Sequence, residues 1–223
     1  MKRWPWIIAV LYALILIVIA IPLVVSAIQP AMGISIPETL LKFFRQWQYW
    51  LWLGIMLIAQ AIFLRAPVDI AQKRPMSKRT VLLPIVTAGF AAGLLAVGVL
   101  FCIGETVMQT QLYTDKNTNF LLWISLGTLI FVWTVWAALF LRKAQHIEPA
   151  ANIERQCRNL FRGSVLELLI AVPTHIVARY RDYCCAGFAT FVGITFGIAV
   201  MLFSFGPGIV FLYRERWKKL HPR

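Results

Sequence analysis

The 223-residue chain has few charged residues, and acidic ones are the scarcest. Charged side chains make up 14% of it, and only 9 residues are Asp or Glu, against 22 Lys or Arg. Hydrophobic residues account for 60%, whereas soluble domains have about 45–50% apolar and about 25% charged residues. This composition excludes an ordinary water-soluble domain. It also excludes disorder, because disordered chains are poor in hydrophobic residues.

Cysteine and histidine are also scarce, which limits the chemistry open to the chain. The four cysteines are too few and too unevenly spaced for a disulfide framework or a zinc ribbon. Of the three histidines, His146 and His221 fall at predicted cytoplasmic ends of spans. The paired intramembrane ligands of a b-type haem are therefore missing, and no haem cofactor is expected. The G-x-S-x-G, H-E-x-x-H and Walker signatures are absent from the sequence. No catalytic residue is predicted, and an enzyme is the less favoured interpretation.

Long hydrophobic runs fill most of the sequence. A helix needs about 20 mostly apolar residues to cross the roughly 30 Å of hydrocarbon in a bilayer. The sequence predicts spans at about 6–28, 47–64, 81–103, 119–141, 163–180 and 186–212. Together they predict an all-α, polytopic transmembrane helical bundle of six spans, or of five plus a re-entrant or interfacial helix. The whole chain, 1–223, is then a single integral membrane domain.

The first stretch, 6–28, can be interpreted as a cleaved signal peptide or as an uncleaved anchor. Lys2 and Arg3 precede it, and Ser26 and Ala27 resemble a small-residue cleavage site. However, the uncharged run is longer than the usual signal-peptide core of about 7–15 residues. The anchor is therefore the favoured interpretation.

The segment 163–180 decides the topology, because it is apolar but contains Glu167, Pro173 and His175. If it crosses, more of the Lys and Arg residues fall on the cytoplasmic side, as the positive-inside rule requires. This favours six spans in the bacterial cytoplasmic (inner) membrane, with both termini in the cytoplasm. Insertion of this segment is opposed by the cost of placing an acidic group at mid-helix in the membrane, about 2.5–3.5 kcal/mol on insertion scales. A re-entrant or interfacial helix is therefore the alternative.

The net charge of +13 would suggest nucleic acid in a soluble protein. Here the basic residues flank apolar segments, so anionic lipid headgroups are the predicted partner and nucleic acid is not. Arg155, Arg158 and Arg162 are predicted to contact these headgroups from a cytoplasmic helix. Other membrane subunits are further candidate partners.

Polar residues gather between residues 154 and 185. Glu167 and His175 lie eight residues apart and share one helix face, which Arg179 and Asp182 continue toward one membrane surface. Ionisable groups inside a membrane are expensive and are usually functional. The alternative is a structural role, in which these polar groups pair with one another or with groups on neighbouring helices, because buried polar groups in lipid must find partners.

A metal or thiol site is a further interpretation of the same region. In the six-span topology His175, Cys184 and Cys185 lie near the outer face, and Cys102 reaches that side from the third span. Imidazole and thiolates suit a soft metal ion such as Cu or Zn. Alternatively, Cys102 pairs with one of the other two cysteines in an oxidising compartment. Adjacent cysteines at a helix start are, however, most often small packing residues.

Glycine, proline and serine positions predict local structure. The stretches Gly89–Gly93 and Gly193–Gly197 are small-residue faces for close helix packing, which puts the third and last spans at the bundle centre. Ser35 followed by proline and glutamate predicts a helix start. The stretch Gly206–Gly208, with its central proline, predicts the end of the last helix.

Three functions follow as hypotheses. The favoured one is a non-enzymatic membrane subunit or scaffold, whose polar residues lock helices together or meet a partner. The first alternative is a small-solute or ion permease with Glu167 and His175 along the path. The second alternative is an outer-face metal or thiol site at His175, Cys184 and Cys185.

Overall fold

The computed structural model describes residues 7–8, 10–21, 35–71, 78–108, 115–144, 149–181 and 186–220, and the regular structure in these ranges is α-helical. The helices are α1 (Val10–Ile21), α2 (Ile36–Phe44), α3 (Trp47–Ala71), α4 (Lys78–Met108), α5 (Asp115–Ala144), α6 (Pro149–Arg179) and α7 (Phe188–Leu220). In these ranges α4, α5, α6 and α7 are long and apolar enough to cross a membrane, and the bent pair α2–α3 gives a fifth candidate. The all-α class is thus confirmed for the described residues, and the four long apolar helices suggest a membrane helical protein.

The boundaries of two predicted elements differ from the sequence prediction. The segment 163–180 is the second half of one 31-residue helix, α6, which continues through Pro173. The predicted end at Gly206–Gly208 is wrong, because α7 extends to Leu220. A proline inside a helix loses one hydrogen bond, whereas a helix end within an apolar stretch would leave several backbone groups unpaired. Of the first predicted span, 6–28, the structure describes 7–8 and 10–21.

Helix α6 buries polar residues and exposes apolar ones. Gln156, Ser164 and Glu167 are at most 1% exposed, whereas Leu166 is 62% and Leu169 is 66% exposed. A helix on a water-soluble protein shows the opposite arrangement, and large exposed apolar patches are rare on soluble monomers. The outer face of α6 is therefore suited to lipid.

Helices α4 and α7 form the centre of the bundle, as the glycine patterns predict. A Cβ atom added at Gly93 would lie 2.8 Å from Leu129 Cδ1 and 3.1 Å from the Leu129 carbonyl oxygen on α5. A Cβ atom at Gly193 of α7 would lie 3.0 Å from the Gly98 carbonyl oxygen on α4. Glycine is needed at these positions because the backbones approach each other closely.

The long helices alternate in direction. Trp133 donates a 2.8 Å hydrogen bond to the Val86 carbonyl, while Leu129, one turn earlier on α5, packs on Gly93, so α4 and α5 are antiparallel. The end of α5 meets the start of α6, where Asn152 donates to the Phe140 carbonyl at 3.4 Å. Consecutive spans of an up-and-down bundle have this arrangement.

Helices α1 and α3 join the same bundle through α7. The rings of Trp52 and Phe196 stack at 6.4 Å and those of Phe63 and Phe203 at 4.9 Å, so α3 runs parallel to α7. The Tyr12 hydroxyl of α1 donates to the Ala199 carbonyl at 3.0 Å. One end of the bundle thus contains the end of α4 and the start of α7, and we call it the Glu105 end. The opposite end contains the end of α5, and we call it the Arg142 end.

The close approach at Gly93 makes a testable prediction. Gly93→Ala is expected to destabilise the protein by about 1–2 kcal/mol, since the new methyl group must displace the end of the Leu129 side chain and crowd the Leu129 carbonyl oxygen. Thermal unfolding of the purified protein in detergent measures the change. Gly127→Ala on α5 is the matched control, because nothing lies within 4 Å of its added Cβ atom. Equal effects of the two substitutions would contradict the close packing of α4 on α5.

Candidate functional site

The polar face of α6 points into the bundle toward α4 and α7. Glu167 and Ala171 are at most 1% exposed and His175 is half-buried. They share this face because residues four apart on a helix lie one above the other. The structure nevertheless gives Glu167 and His175 different surroundings.

At the Glu105 end, a buried carboxylate caps the start of α7. Glu105, at 0% exposure, accepts hydrogen bonds from the backbone N–H groups of Gly187 at 3.0 Å and Ala189 at 3.2 Å. The first N–H groups of a helix have no partner within the helix and carry partial positive charge. The Glu105 carboxylate satisfies two such groups, so it fastens α4 to α7.

His175 connects α6 to the same turn. Its Nδ1 lies 2.9 Å from Thr190 Oγ1 and 3.1 Å from the Gly187 carbonyl oxygen, and the Thr190 hydroxyl donates to that carbonyl at 2.9 Å. With the hydroxyl hydrogen used in this way, a hydrogen on Nδ1 satisfies the remaining contacts. Gly187 has a φ of +85°, a left-handed conformation that favours glycine.

Arg181 completes the cluster by donating from its guanidinium to the Glu105 carbonyl oxygen at 3.0 Å. We call Glu105, His175, Arg181, Gly187 and Thr190 the polar lock. It contains groups from α4, from α6 with the turn after it, and from α7 with the turn before it. Its chemistry is that of an interhelical fastening, in which buried polar groups are paired with one another.

His175→Ala is therefore expected to destabilise the protein by about 1–2 kcal/mol, because the Thr190 and Gly187 contacts lose their partner. Thermal unfolding in detergent measures the loss. Thr134→Ala is a suitable control, since that hydroxyl donates to the Phe131 carbonyl oxygen of its own helix. An unchanged midpoint in His175→Ala would show that the ring does not hold the helices together.

Glu167 has no such fastening. It is 1% exposed, and neither carboxylate oxygen has a hydrogen-bond partner in the part of the chain that the structure describes. The side chain lies against glycines of two neighbouring helices. A Cβ atom added at Gly98 would lie 2.5 Å from Oε1, and one added at Gly197 would overlap Oε2. The carboxyl group thus occupies space that only glycines leave open, and we call this arrangement the glycine cradle.

The cradle also brings a thiol close to the carboxyl group. The Cβ position of Gly193 is 3.1 Å from Cys102 Sγ and 3.4 Å from Glu167 Oε1. Cys102 is a free thiol at 1% exposure. It therefore lies with Glu167 in the bundle interior, and among the described residues no three His, Cys, Asp or Glu side chains form a group that could hold a metal ion.

Glu167 lies near the middle of the bundle. It is twelve residues from the end of α6 at Arg179, which is about 18 Å at 1.5 Å per residue. An ionised carboxylate without partners in an apolar medium is very costly, so such a group is held as the neutral acid. The arrangement can accept and release a proton, but it cannot fasten helices.

Several polar groups that the sequence interpretation passed over are also buried. Both amide atoms of Gln60 lack partners within the described ranges, as do Gln156 Nε2 and Asn152 Oδ1. Gln156 accepts a 3.4 Å hydrogen bond from the Trp136 indole through its other amide atom. In the sequence, such a residue can be recognised as an amide inside an apolar run, as Gln60 is within the predicted span 47–64.

The other candidate residues have separate positions. Arg155, Arg158 and Arg162 are exposed on α6, and Arg158 pairs with Glu154 at 2.7 Å. Arg179 is half-buried in the last turn of α6. Three further candidates lie outside the described residues: Asp182, Cys184 and Cys185.

No known protein family, curated protein or solved structure matches this chain.

Proposed function

We propose that the chain is a six-span protein of the bacterial cytoplasmic membrane, with both termini in the cytoplasm. Support comes from the alternating directions of α3 to α7 and from the apolar outer faces of α5 and α6. The six spans are α1, the bent pair α2–α3, and α4 to α7. The Arg142 end is the cytoplasmic one, because Arg142 and Lys143 form part of the last turn of α5 there, and basic residues favour the cytoplasmic side.

Thiol labelling tests this topology. In intact cells, after reduction, a membrane-impermeant maleimide is expected to label Cys184 or Cys185 from the periplasmic side. The assay is specific because the other two thiols, Cys102 and Cys157, are buried. The double variant Cys184→Ser/Cys185→Ser is the control and is expected to remain unlabelled. Labelling only after the membrane is permeabilised would contradict six spans.

The function that the geometry supports best is a permease for a small solute or ion, in which Glu167 binds and releases a proton. The observation that carries this proposal is the Glu167 carboxyl group in the glycine cradle, which has no hydrogen-bond partner among the residues that the structure describes. In a purely structural bundle, an apolar side chain of similar size would serve better at this position. A costly group retained in the membrane interior is typical of proton relays.

The chemistry needs only this side chain and access to water. When water reaches the cradle from one side, the carboxyl O–H bond breaks and the proton passes to water. The resulting carboxylate is unstable in the closed cradle, so it takes up a proton, or a cation, before the bundle closes again. Proton release is thereby coupled to uptake of a cation, because the bundle can close only when the Glu167 carboxyl group is protonated or its charge is neutralised by a bound cation.

Reconstituted vesicles test the permease. Proteoliposomes with an acidic lumen and a pH-sensitive dye are exposed to single inorganic cations, amino acids and carboxylic acids. With the unaltered protein, at least one solute is expected to raise the lumenal pH. Glu167→Gln is expected to abolish this response while the protein stays folded. Glu154→Gln, at an exposed acid that pairs with Arg158, is the matched control and is expected to retain it. Equal responses in both variants would contradict the proposal.

A membrane subunit or scaffold is the second candidate. The specific observation in its favour is the apolar surface of α5, where Trp123 is 74% and Phe131 is 67% exposed. Such a face suits either lipid or a partner helix, and the polar lock would keep the bundle rigid beneath it. The vesicle assay separates the two functions, because a scaffold moves no protons with any solute.

A further inference from the structure

A cleft opens between the outer ends of α4 and α6, beside the polar lock. It has a volume of about 210 Å³ and is lined by Thr106 on α4, by Pro173 and Val177 on α6, and by Arg181 after α6. This is several times the roughly 30 Å³ that one water molecule occupies in the liquid. The cleft faces outward, since Val177 is 57% exposed. In the proposed orientation it faces the lipid of the outer leaflet.

The walls of the cleft are effectively apolar. The two threonine hydroxyls on its walls donate to their own helices, Thr106 to the Cys102 carbonyl and Thr174 to the Ile170 carbonyl, both at 2.7 Å. Their hydrogens are therefore used, and the walls offer methyl groups, a proline ring and Val177 to an occupant. Such walls suit a hydrocarbon chain, and their hydroxyl groups leave no donor for a polar solute.

One guanidinium group lies at the cleft. Arg181 is held in place by its 3.0 Å hydrogen bond to the Glu105 carbonyl oxygen. That bond uses one of the five N–H donors of a guanidinium. Glu105 also lines the cleft, but its carboxylate is directed away to the N–H groups of Gly187 and Ala189. The cleft therefore combines apolar walls with a fixed positive charge.

We propose that this cleft binds one anionic phospholipid, with an acyl chain along α4 and α6 and the phosphate on Arg181. The planar guanidinium can bind two phosphate oxygens at once. An anionic phospholipid matches both the positive charge of Arg181 and the apolar walls of the cleft. A free anion would match only the charge, and an uncharged hydrocarbon would match only the walls. This site is separate from the Arg155, Arg158 and Arg162 side chains, which lie in the first half of α6.

Native mass spectrometry of the full-length protein tests the site. Detergent-purified protein is titrated with phosphatidylglycerol and with phosphatidylcholine of the same acyl chains. We expect one bound phosphatidylglycerol, preferred at least about fivefold, the factor that one arginine contact to an anionic headgroup contributes. Arg181→Gln is expected to abolish the preference. Arg142→Gln, an exposed arginine at the opposite end of the bundle, is expected to retain it.

A second variant tests the cleft itself. Val177→Trp fills it with a ring and leaves Arg181 unchanged, and we expect it to lower the binding of both lipids by a similar factor. Val107→Trp is the matched control on the exposed surface of α4, where Val107 is 74% exposed. A persistent preference in Arg181→Gln would overturn the proposal, as would an equal loss in Arg142→Gln. Undiminished lipid binding in Val177→Trp would also overturn the proposal. This second test does not depend on Arg181→Gln being stable enough to purify.

Discussion

Glu105→Ala is expected to lower the free energy of unfolding by about 3–5 kcal/mol. The carboxylate accepts the backbone N–H groups of Gly187 and Ala189, and it is fully buried. Each buried N–H group left without a partner costs about 1–3 kcal/mol. Removing a negative charge from the start of a helix adds up to about 2 kcal/mol in a partly buried geometry. The three contributions overlap, so the expected loss is less than their sum.

Two further variants make the Glu105 measurement specific. Glu105→Gln keeps one carbonyl acceptor and is expected to lose less than half as much stability as Glu105→Ala. Glu38→Ala is the control, because that carboxylate is exposed and pairs with Lys42, four residues away on the same helix, α2. Denaturant or thermal unfolding in detergent measures all three variants. If Glu105→Ala behaved like Glu38→Ala, the carboxylate would not be holding the start of α7.

Gly197→Ala is expected to destabilise the protein by about 2–3 kcal/mol, the upper part of the range for overpacking a tight core. A methyl group at this position would occupy the space of Glu167 Oε2 and would lie 2.9 Å from Leu168 Cδ2. The carboxyl group cannot move away easily, since Gly98 of α4 adjoins it on the other side.

The double variant Glu167→Ala/Gly197→Ala measures the interaction free energy between the two positions, which arises from this clash. Once the carboxyl group is removed, Gly197→Ala is expected to cost less than about 1 kcal/mol, so the two substitutions are strongly non-additive. Gly54→Ala is the control for the loss of a helix glycine, because nothing lies within 4 Å of its added Cβ atom. Additive losses at Gly197 and Glu167 would place the carboxyl group outside the glycine cradle.

Much of the architecture could be predicted from the sequence. Apolar runs of about 20 residues have few alternatives to a helix in lipid, because unpaired backbone groups are too costly there. The glycine spacing at Gly89–Gly93 and Gly193–Gly197 likewise predicted close helix packing, and α4 indeed packs closely on α5 at Gly93, and α7 on α4 at Gly193. The helix start at Ser35 was also predicted, and α2 begins directly after it.

The candidate site was predicted only in part. The sequence placed Glu167 and His175 on one face but could not distinguish their roles. It also gave no sign that Cys102 lies close to Glu167, and the grouping of Cys102 with Cys184 and Cys185 stays a prediction, because those two cysteines lie outside the described residues. Gln60 was missed, because a single amide within an apolar run shows no regular spacing with other polar residues that would mark it as part of a site.

The sequence by itself determined an all-helical chain with several helices suited to lipid and with its ionisable groups gathered near α6, because hydrophobicity and helical periodicity are local properties. Only the tertiary structure decided that His175 has partners and that Glu167 has none among the described residues. The partners of the polar lock come from distant parts of the chain, as Glu105 and Gly187 do at a separation of 82 positions. Whether a buried polar group meets a donor or a glycine depends on how α4, α6 and α7 pack together, and no local pattern carries that information.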